Sequence, residues 1–391
     1  MAPGRLPAVA VAALYVHVPF CFHKCHYCDF YSITRQSPER MERFVDLILA
    51  EAQMWGTEKR GPTMKPATLF FGGGTPSLLP PDQMERLIRG LKERFDFSQV
   101  SEWTVEVNPA TANLDYCRML RELGVDRLSF GAQSFRPDEL QTLERHHDPQ
   151  DVARSVDIAH SAGFKRFNLD LIYAIPKQDL QSWVGSLEAA YGLNPPHISC
   201  YNLTYESNTP IAVKRRLGQL VPVSEELEIE MLRFTRHYLS QRGMEPYEIS
   251  NYALPGEECR HNLNYWLGGN YIGLGPSAAS HVEGHRWRNR PHLGEWEAAI
   301  GSKTLPAIDV EFLGPDQRVG ELAMLMLRLS GGINFADFAA RTGYDARGHF
   351  ADQIARFTSH GLLHADQNAV CLTEKGLPVA DALAAEFLAR T

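Results

Sequence analysis

Three cysteines stand within eight positions near the start of the chain, at Cys21, Cys25 and Cys28. Three thiolates spaced as Cys-x3-Cys-x2-Cys in one loop can hold one face of a metal cluster, whereas a structural zinc site usually takes four ligands. The spacing therefore indicates a [4Fe-4S] cluster whose fourth iron is left open. The alternatives are a zinc site completed by His23 or His26, or three unrelated cysteines.

Glycines and carboxylates stand at the ends of the next predicted strands. The run Gly72-Gly73-Gly74-Thr75 closes the second of them, and glycines let a backbone approach a ligand closely. Glu106 closes the third, where its carboxylate could accept hydrogen bonds from a ligand or be simply solvated. Asp170 stands inside an apolar strand, where a buried acid is costly unless it has a partner.

These residues must be positioned by the strands and helices that alternate between Leu14 and Thr204. The strands are rich in β-branched and aromatic residues, and the helices repeat their apolar residues with a 3.6-residue period. Six successive β–α units predict an α/β fold with a parallel sheet, open or curled into a barrel, and chemistry at the carboxyl ends of its strands. The predicted strands are Leu14–Pro19, Ala67–Phe71, Trp103–Asn108, Arg127–Phe130, Arg166–Tyr173 and His197–Thr204, and the predicted helices are Pro38–Trp55, Pro81–Phe95, Leu114–Leu123, Asp151–Ala162 and Leu180–Tyr191.

We divide the chain into a tail (1–13), a barrel domain (14–214), a linking region (215–309) and a C-terminal unit (310–391). The linking region contains one predicted helix, Ser224–Gln241, and then a segment without any period, Asn251–Trp296. A structureless stretch of that length inside a compact protein is usually functional.

The C-terminal unit has the order of elements of a winged helix and is mostly helical. It carries 7 Lys and Arg against 10 Asp and Glu, so we expect it to contact protein and not nucleic acid. Its predicted helices are Asp316–Arg328, Asn334–Thr342, Ala346–His360 and Leu377–Ala389, with a strand at Ala369–Thr373.

Composition narrows the functional classes. Among 391 residues, 44% are hydrophobic and 22% charged, which is typical of a folded globular protein. Lys and Arg number 39 against 47 Asp and Glu, an acidic balance that does not suit nonspecific nucleic-acid binding. The apolar stretch Pro7–Val18 is too short to span a membrane and lacks a cleavage site, so we expect a cytoplasmic protein without a transmembrane segment. Four scattered cysteines are expected to be buried small hydrophobes: Cys117, Cys200, Cys259 and Cys371.

The cysteine loop resembles the signature of the radical S-adenosylmethionine (SAM) superfamily, and the resemblance covers about Leu14 to Thr204. It implies a partial (β/α)6 barrel, in which the open iron binds the amino and carboxylate groups of SAM. It also implies that an electron from the cluster cleaves a carbon–sulfur bond of SAM to give a 5'-deoxyadenosyl radical. By position, the implied SAM contacts are Tyr15, Tyr27, Gly73, Gly74, Thr75, Glu106, Gln133, Arg145 and Asp170.

Within this superfamily, the segments from Leu14 to Cys21 and from Gly131 to Phe135 are similar to the branch that contains oxygen-independent coproporphyrinogen III dehydrogenase. Two features depart from that enzyme. Phe30 stands where the enzyme has a fourth cysteine, and most of the enzyme's N-terminal extension is missing. Haem chaperones of the same branch share both features, and this sequence resembles them over nearly its whole length.

The segment His261-Asn262-Leu263-Asn264-Tyr265-Trp266 matches the His-Asn-x-x-Tyr-Trp motif of these chaperones. Histidine is a usual axial ligand of haem iron, and Tyr and Trp can stack on a macrocycle. The resemblance therefore implies haem contact by His261, Asn262, Tyr265 and Trp266. Taken alone, His261 would more often be a hydrogen-bonded structural histidine.

Two further sets of residues flank these predicted sites. Arg260 could pair with a haem propionate, and Cys259 could be a second ligand or a bystander. His146 and His147 are expected to be loop residues beside Arg145 and not ligands.

The resemblance implies a protein that binds haem and transfers it to an acceptor such as a respiratory enzyme. A [4Fe-4S] cluster and exchangeable SAM would control assembly or release, and a homodimer and a transient membrane association are compatible with this role. The alternative is coproporphyrinogen III dehydrogenase, against which Phe30 argues. A haem-degrading radical methyltransferase is a third hypothesis, and the intact motif from His261 to Trp266 weighs against it.

Overall fold

The computed structural model describes residues 6–56 and 62–388 of the chain. The first five residues of the predicted tail, and Ala389 at the end of the last predicted helix, lie outside the described residues. Strand β1 (Ala10–Val18) begins at Ala10, inside the segment 1–13 that the sequence suggested was a tail.

A single large sheet organises most of the described residues. Its first six strands run parallel and follow the chain order, as the six predicted β–α units require. The α/β fold class and the partial six-unit barrel are therefore confirmed. After β1, the parallel strands are β2 (Thr63–Gly73), β3 (Glu102–Val107), β4 (Arg127–Gln133), β5 (Arg166–Tyr173) and β6 (His197–Asn202).

Helices connect these strands and cover the sheet. The first helix shows why, because Phe44, Val45, Ile48 and Ala52 recur on one face and are all buried in the main core. Asp148 and Asp179 cap the starts of two later helices with reciprocal capping boxes. The helices are α1 (Pro38–Gly56), α2 (Pro81–Arg94), α3 (Leu114–Glu122), α4 (Pro137–Thr142), α5 (Pro149–Ser161) and α6 (Leu180–Gly192).

The linking region is regular where the sequence suggested no structure. Our expectation that Asn251–Trp296 is structureless was wrong, because its short strands extend the sheet on both edges. Strand β9 (Tyr271–Leu274) pairs in parallel with β1, and β8 (Asn251–Ala253) pairs with β6. Strands of three to five residues are too short to show a period in the sequence. The elements are α7 (Pro210–Arg216), α8 (Glu225–Ser240), β7 (Glu245–Pro246), β8 (Asn251–Ala253), α9 (Arg260–Trp266), β9 (Tyr271–Leu274), β10 (Ala279–Val282), β11 (His285–Asn289), α10 (Leu293–Gly301) and β12 (Ala307–Phe312).

A buried carboxyl group fastens this region to the first helix. Glu51 of α1 accepts hydrogen bonds from the backbone N–H of Gly275 at 2.9 Å, from Asn289 Nδ2 at 2.6 Å and from Trp296 Nε1 at 3.0 Å. These three donors come from three separate parts of the linking region. Because a buried carboxyl without such donors would be costly, Glu51 fixes how the added strands sit against the barrel.

The C-terminal unit has its own apolar core, centred on residues such as Phe338 and Phe350. The predicted helix Ala346–His360 is two helices, because the backbone at Phe350 leaves the helical conformation. Among the described helices, none is both long and apolar enough to cross a membrane. The elements are α11 (Pro315–Met326), β13 (Ile333–Asn334), α12 (Phe335–Thr342), α13 (Ala346–His349), α14 (Ala351–Ser359), β14 (Leu363–Ala365), β15 (Ala369–Leu372) and α15 (Ala380–Ala385).

Candidate functional site

A cavity of about 710 Å³ opens at the carboxyl ends of the parallel strands. This is the edge of an α/β sheet at which ligands usually bind. Most of the residues predicted to hold a cluster or SAM line this one cavity. They are Cys21, Cys25, Tyr27, Cys28, Gly73, Gly74, Thr75, Glu106, Gln133, Arg145 and Asp170.

The cysteine loop is anchored at its start and turns back on itself. The N–H of Cys21 donates to the carbonyl of Ile33 at 3.0 Å, and the N–H of Cys28 donates to the carbonyl of Cys25 at 3.2 Å. Among the described residues, all three thiols are free of disulfides. Burial raises the pKa of Cys28 to about 11 and also raises that of Cys21. Ligation to a metal overrides such a shift, because a coordinating thiol is deprotonated outright.

Two polar side chains approach the thiols from outside the loop. Thr75 Oγ1 lies 3.7 Å from Cys21 Sγ, and Arg145 Nη1 lies 3.7 Å from Cys25 Sγ. The Nε atom of Arg145 is buried without a hydrogen-bond partner among the described residues. A cationic donor beside three thiols that line one cavity fits an anionic iron–sulfur cluster, whose sulfurs accept hydrogen bonds. The donor set of the loop therefore fits the predicted group.

The glycine run lies beside the cysteine loop because β1 and β2 pair in register, with Val18 opposite Gly73. Gly73 has φ of +98°, and a Cβ atom there would lie 2.3 Å from the imidazole of His17. At Gly74 a Cβ atom would lie 2.6 Å from the carbonyl oxygen of Val18. Both positions therefore require glycine, which brings the backbone to the wall of the cavity.

Two carboxyl groups face the cavity from β3 and β5, the strands on either side of β4. Glu106 accepts a hydrogen bond from the N–H of Gly73 at 3.2 Å, and burial, with repulsion from Asp170, raises the pKa of Glu106 to about 8. Asp170 accepts hydrogen bonds from Asn168 Nδ2 at 2.8 Å and Ser129 Oγ at 3.0 Å. Burial raises the pKa of Asp170 as well. A ligand with a cationic group would relieve the cost of charging both acids together.

The remaining predicted SAM contacts divide between the cavity and the barrel interior. Gln133 ends β4 with φ of +62°, and Arg145 Nη2 donates to the carbonyl of Gly131 at 2.6 Å. Tyr15 is not among the residues that line the cavity. Its hydroxyl bonds His17 Nδ1 at 3.1 Å, and its ring lies 6.4 Å from that of Phe70.

The predicted haem residues lie at the other end of the barrel. His261 is 1% exposed, and its imidazole is hydrogen-bonded on both sides, to Thr68 Oγ1 at 2.9 Å and to the hydroxyl of Tyr265 at 2.8 Å. Thr68 lies five positions before Gly73 on β2, which at ~3.3 Å per residue puts it roughly 16 Å from the cavity edge. Burial lowers the pKa of His261 to about 3. Helix α9 therefore closes the amino end of the barrel, with His261 as a neutral core residue in this conformation.

Other residues of the motif face neighbouring elements. The ring of Tyr265 lies 4.6 Å from that of Tyr271, and the guanidinium of Arg328 lies 5.0 Å from the ring of Trp266. Asn262 is half-buried on the same helix. The motif thus joins the barrel to the C-terminal unit through Trp266 and Arg328, a cation–π contact.

A charged network that the sequence did not predict holds α9 in place. Glu102 is fully buried and accepts hydrogen bonds from the N–H groups of Arg260 at 3.2 Å and His261 at 3.0 Å. Arg127 and Arg166 lie 3.5 and 3.3 Å from the same carboxylate. The sequence contained a signal for this network, because Glu102, Arg127 and Arg166 are the first residues of three consecutive strands.

The residues that flank the predicted sites also make specific contacts. Cys259 is buried and donates to Glu102, with sulfur and oxygen 3.4 Å apart, and burial raises its pKa to about 12. Arg260 contributes its backbone N–H to Glu102. His147 is buried and hydrogen-bonded to the carbonyl of Ala132 at 3.0 Å.

Comparisons with known proteins agree with the fold described above. Residues 15–190 match the family model described as the radical SAM superfamily, and residues 313–379 match the HemN C-terminal domain. The haem chaperone HemW of Bacillus subtilis is 34% identical over 96% of this chain and 98% of its own length. The corresponding protein of Escherichia coli is 38% identical over 71% of each chain.

Among solved structures, the coproporphyrinogen III oxidase HemN of Escherichia coli superimposes with a TM-score of 0.84. The match covers 98% of this chain and 91% of that one, at 24% sequence identity. At that identity the likeness concerns the fold, including the attachment of a C-terminal unit to the barrel.

Proposed function

The chain belongs to the HemW family of haem chaperones within the radical SAM superfamily, and we propose that it binds haem and delivers it to an acceptor protein. The relatives at 30–34% identity cover nearly its whole length, so the proposal concerns the entire chain and not the barrel alone. One observation supports the proposal: the chain has both the cavity lined by three cysteines and the His-Asn-x-x-Tyr-Trp motif on α9.

We assign the three thiols of Cys21, Cys25 and Cys28 to a [4Fe-4S] cluster. When bound, such a cluster supplies an open iron for a ligand with amino and carboxylate groups, and a source of single electrons. Arg145 would balance the cluster's negative charge from beside Cys25, and Thr75 would donate toward Cys21. These contacts act on the ligand atoms themselves, so they tune the cluster more directly than distant surface charge.

SAM would occupy the rest of the same cavity. The backbone of Gly73 and Gly74, and the carboxyls of Glu106 and Asp170, present acceptors and donors to a ligand that carries both an ammonium and a sulfonium charge. Tyr27 and Gln133 complete this wall. Tyr15 would act from behind it, through His17 and the tight approach of His17 to Gly73.

The assignment of haem contact to His261, Asn262, Tyr265 and Trp266 carries a condition. Because both imidazole nitrogens of His261 are hydrogen-bonded in this conformation, iron coordination by His261 requires at least one of these hydrogen bonds to break. We call the conformation with such a bond broken the open state; it would be a minor population that haem selects. The apparent affinity for haem would be lowered in proportion to that population. Acceptor identity, a homodimer, transient membrane association and a cytoplasmic location remain predictions.

The experiment that tests delivery is a transfer assay under anaerobic conditions. Haem-loaded protein with its cluster reconstituted is mixed with an apo-haem protein, and the acceptor's absorbance is followed. We expect transfer faster than from haem bound to the cluster-free protein, with SAM changing the rate. If haem reaches the acceptor at the same rate with and without the chain, delivery is refuted.

Coproporphyrinogen III dehydrogenase is the second candidate, favoured by the fold match to HemN over 98% of the chain. Phe30 replaces the fourth cysteine of that enzyme, lines the cavity and is 65% exposed. A coproporphyrinogen oxidation assay on cluster-loaded protein separates the two, since the chaperone proposal expects no vinyl product.

A further inference from the structure

Three potential metal ligands from two segments converge at the mouth of the cavity. His23 belongs to the cysteine loop, and Glu144 and His146 belong to the segment between α4 and α5. One ligand atom of each lies within 4.8 Å of the others. His23 Nε2 is 3.8 Å from Glu144 Oε2, and the rings of His23 and His146 are 4.6 Å apart and nearly perpendicular. All three line the cavity, and none is a cluster ligand.

Glu144, which supplies the carboxylate, has a strained backbone conformation. Glu144 has φ of +56°, a left-handed conformation that residues with a side chain rarely adopt. Such strain persists only where the surrounding structure imposes it, and it clusters at binding and switch sites. The second carboxylate oxygen of Glu144 lies 3.7 Å from His26 Nδ1, so both oxygens face imidazoles.

The donor set suits a borderline divalent cation. Two imidazoles and one carboxylate are a usual three-ligand set for zinc, which leaves one position for water or another ligand. The neighbouring cations oppose a metal ion: Lys214 Nζ lies 3.1 Å from His26 Nδ1, and Arg145 lies beside Cys25. Glu144 is the one carboxylate in the group, so the affinity for a cation must depend strongly on its charge.

The same geometry does not suit haem iron between the two histidines. Rings whose centroids are 4.6 Å apart in an edge-to-face arrangement leave no space for a flat macrocycle between them. A carboxylate 3.8 Å from one of the imidazoles would also approach the iron from the same side as that histidine. A single cation is small enough to bind His23, Glu144 and His146 at the same time.

We propose that His23, Glu144 and His146 form a second metal site, for a divalent transition metal of the zinc type, at the mouth of the cluster cavity. The bound ion fastens the cysteine loop to the segment that carries Arg145. Metal binding at this site therefore affects the position of Arg145 and the contact of Arg145 with Cys25. This site is distinct from the three-cysteine site, because it uses nitrogen and oxygen ligands only.

Anaerobic calorimetric titration of the cluster-loaded protein with Zn²⁺ tests the proposal, with cluster absorbance recorded throughout. We expect stoichiometric binding without loss of cluster absorbance. Glu144→Gln and His146→Ala should each weaken Zn²⁺ binding at least about tenfold. His237→Ala, at an exposed histidine on α8, is the matched control and should leave the affinity unchanged.

Three results would overturn the proposal. Zn²⁺ binding of equal strength in Glu144→Gln and the wild type would place the metal elsewhere. Bleaching of the cluster in step with Zn²⁺ uptake would mean that the cysteines take the metal. Loss of haem binding in His146→Ala with unchanged Zn²⁺ binding would assign the histidine to haem. Because no step depends on haem delivery, the chaperone proposal can fail without affecting this one.

Discussion

The guanidinium of Arg145 lies 3.7 Å from the sulfur of Cys25 and also holds the carbonyl of Gly131 at 2.6 Å. One side chain thus connects the cysteine loop to the carboxyl end of β4. It does so from a half-buried position at the cavity wall, where its charge is screened less by water than at the open surface. The electrostatics of the loop and the shape of the cavity wall are therefore set by the same residue.

Arg145→Ala should make the cluster harder to reduce. Reduction adds negative charge, and Arg145 stabilises that charge from beside Cys25, so its removal lowers the potential. A loss of about 1.4 kcal/mol would lower a one-electron potential by ~59 mV. Anaerobic redox titration measures the change, and Arg136→Ala, an exposed arginine before α4, is the control. A potential equal to that of the wild type would show that Arg145 does not act on the cluster.

Gly73→Ala should destabilise the fold and abolish SAM binding. The added methyl group would lie 2.3 Å from His17, and φ at this position is +98°. Gly163→Ala is the matched control, because Gly163 also has a positive φ, +87°, but its Cβ would meet nothing within 4 Å. Backbone strain alone should cost roughly 1–2 kcal/mol at Gly163. Urea unfolding should show a larger loss at Gly73, and equal losses would contradict the steric argument.

The buried imidazole of His261 contributes stability that should be lost in acid. Its folded pKa, about 3, is below its unfolded value of 6.5, so its contribution is complete above pH 6.5 and is lost as pH falls toward 3. At pH 5 this loss is about 2 kcal/mol relative to pH 7. The buried carboxyls work in the opposite direction: with the pKa of Glu51 and of Glu106 raised to about 8, their contribution is lost as pH rises.

The histidine's share can be isolated by comparing urea unfolding of the wild type and His261→Gln at pH 7 and pH 5. The wild type should lose about 2 kcal/mol more than the variant over this interval. Parallel losses in the two proteins would mean that His261 is accessible to protons in the folded state.

Phe30→Cys should not create a porphyrinogen dehydrogenase. Phe30 is exposed at the cavity, so a cysteine can be accommodated there without disturbing the core. Neither the wild type nor the variant should form vinyl product from coproporphyrinogen, as measured by chromatography of the products. The cluster content of both proteins serves as the control. Product formation by the wild type would favour the enzymatic hypothesis.

The sequence was sufficient to predict the barrel and, except for Tyr15, to name residues that line its cavity. Parallel strands place their carboxyl ends at one edge, so the residues following Val18, Phe71 and Val105 in the chain had to meet. The partners of α9 could not be predicted this way. His261 contacts Thr68, almost 200 positions away, and the pairing of β8 with β6 and of β9 with β1 brings that helix to the amino end of the barrel. The regular structure of the linking region was missed for the related reason that its strands are very short.

The location of haem can be tested with two variants that have opposite expectations. Thr68→Val removes a hydrogen bond that keeps His261 in the core, so it should favour the open state and strengthen haem binding. His261→Gln keeps the bulk and polarity of the side chain but cannot ligate iron as imidazole does, so it should weaken binding. If both variants weaken binding equally, His261 supports the fold and haem binds elsewhere.

The central claim is most directly tested by anaerobic titration of the wild-type, cluster-loaded protein with haem, followed by absorbance. We expect saturable, near-stoichiometric binding with a shifted Soret band, as a haem chaperone requires. Absorbance changes that grow without saturation, as for haem adsorbing to an unrelated protein, would contradict the account.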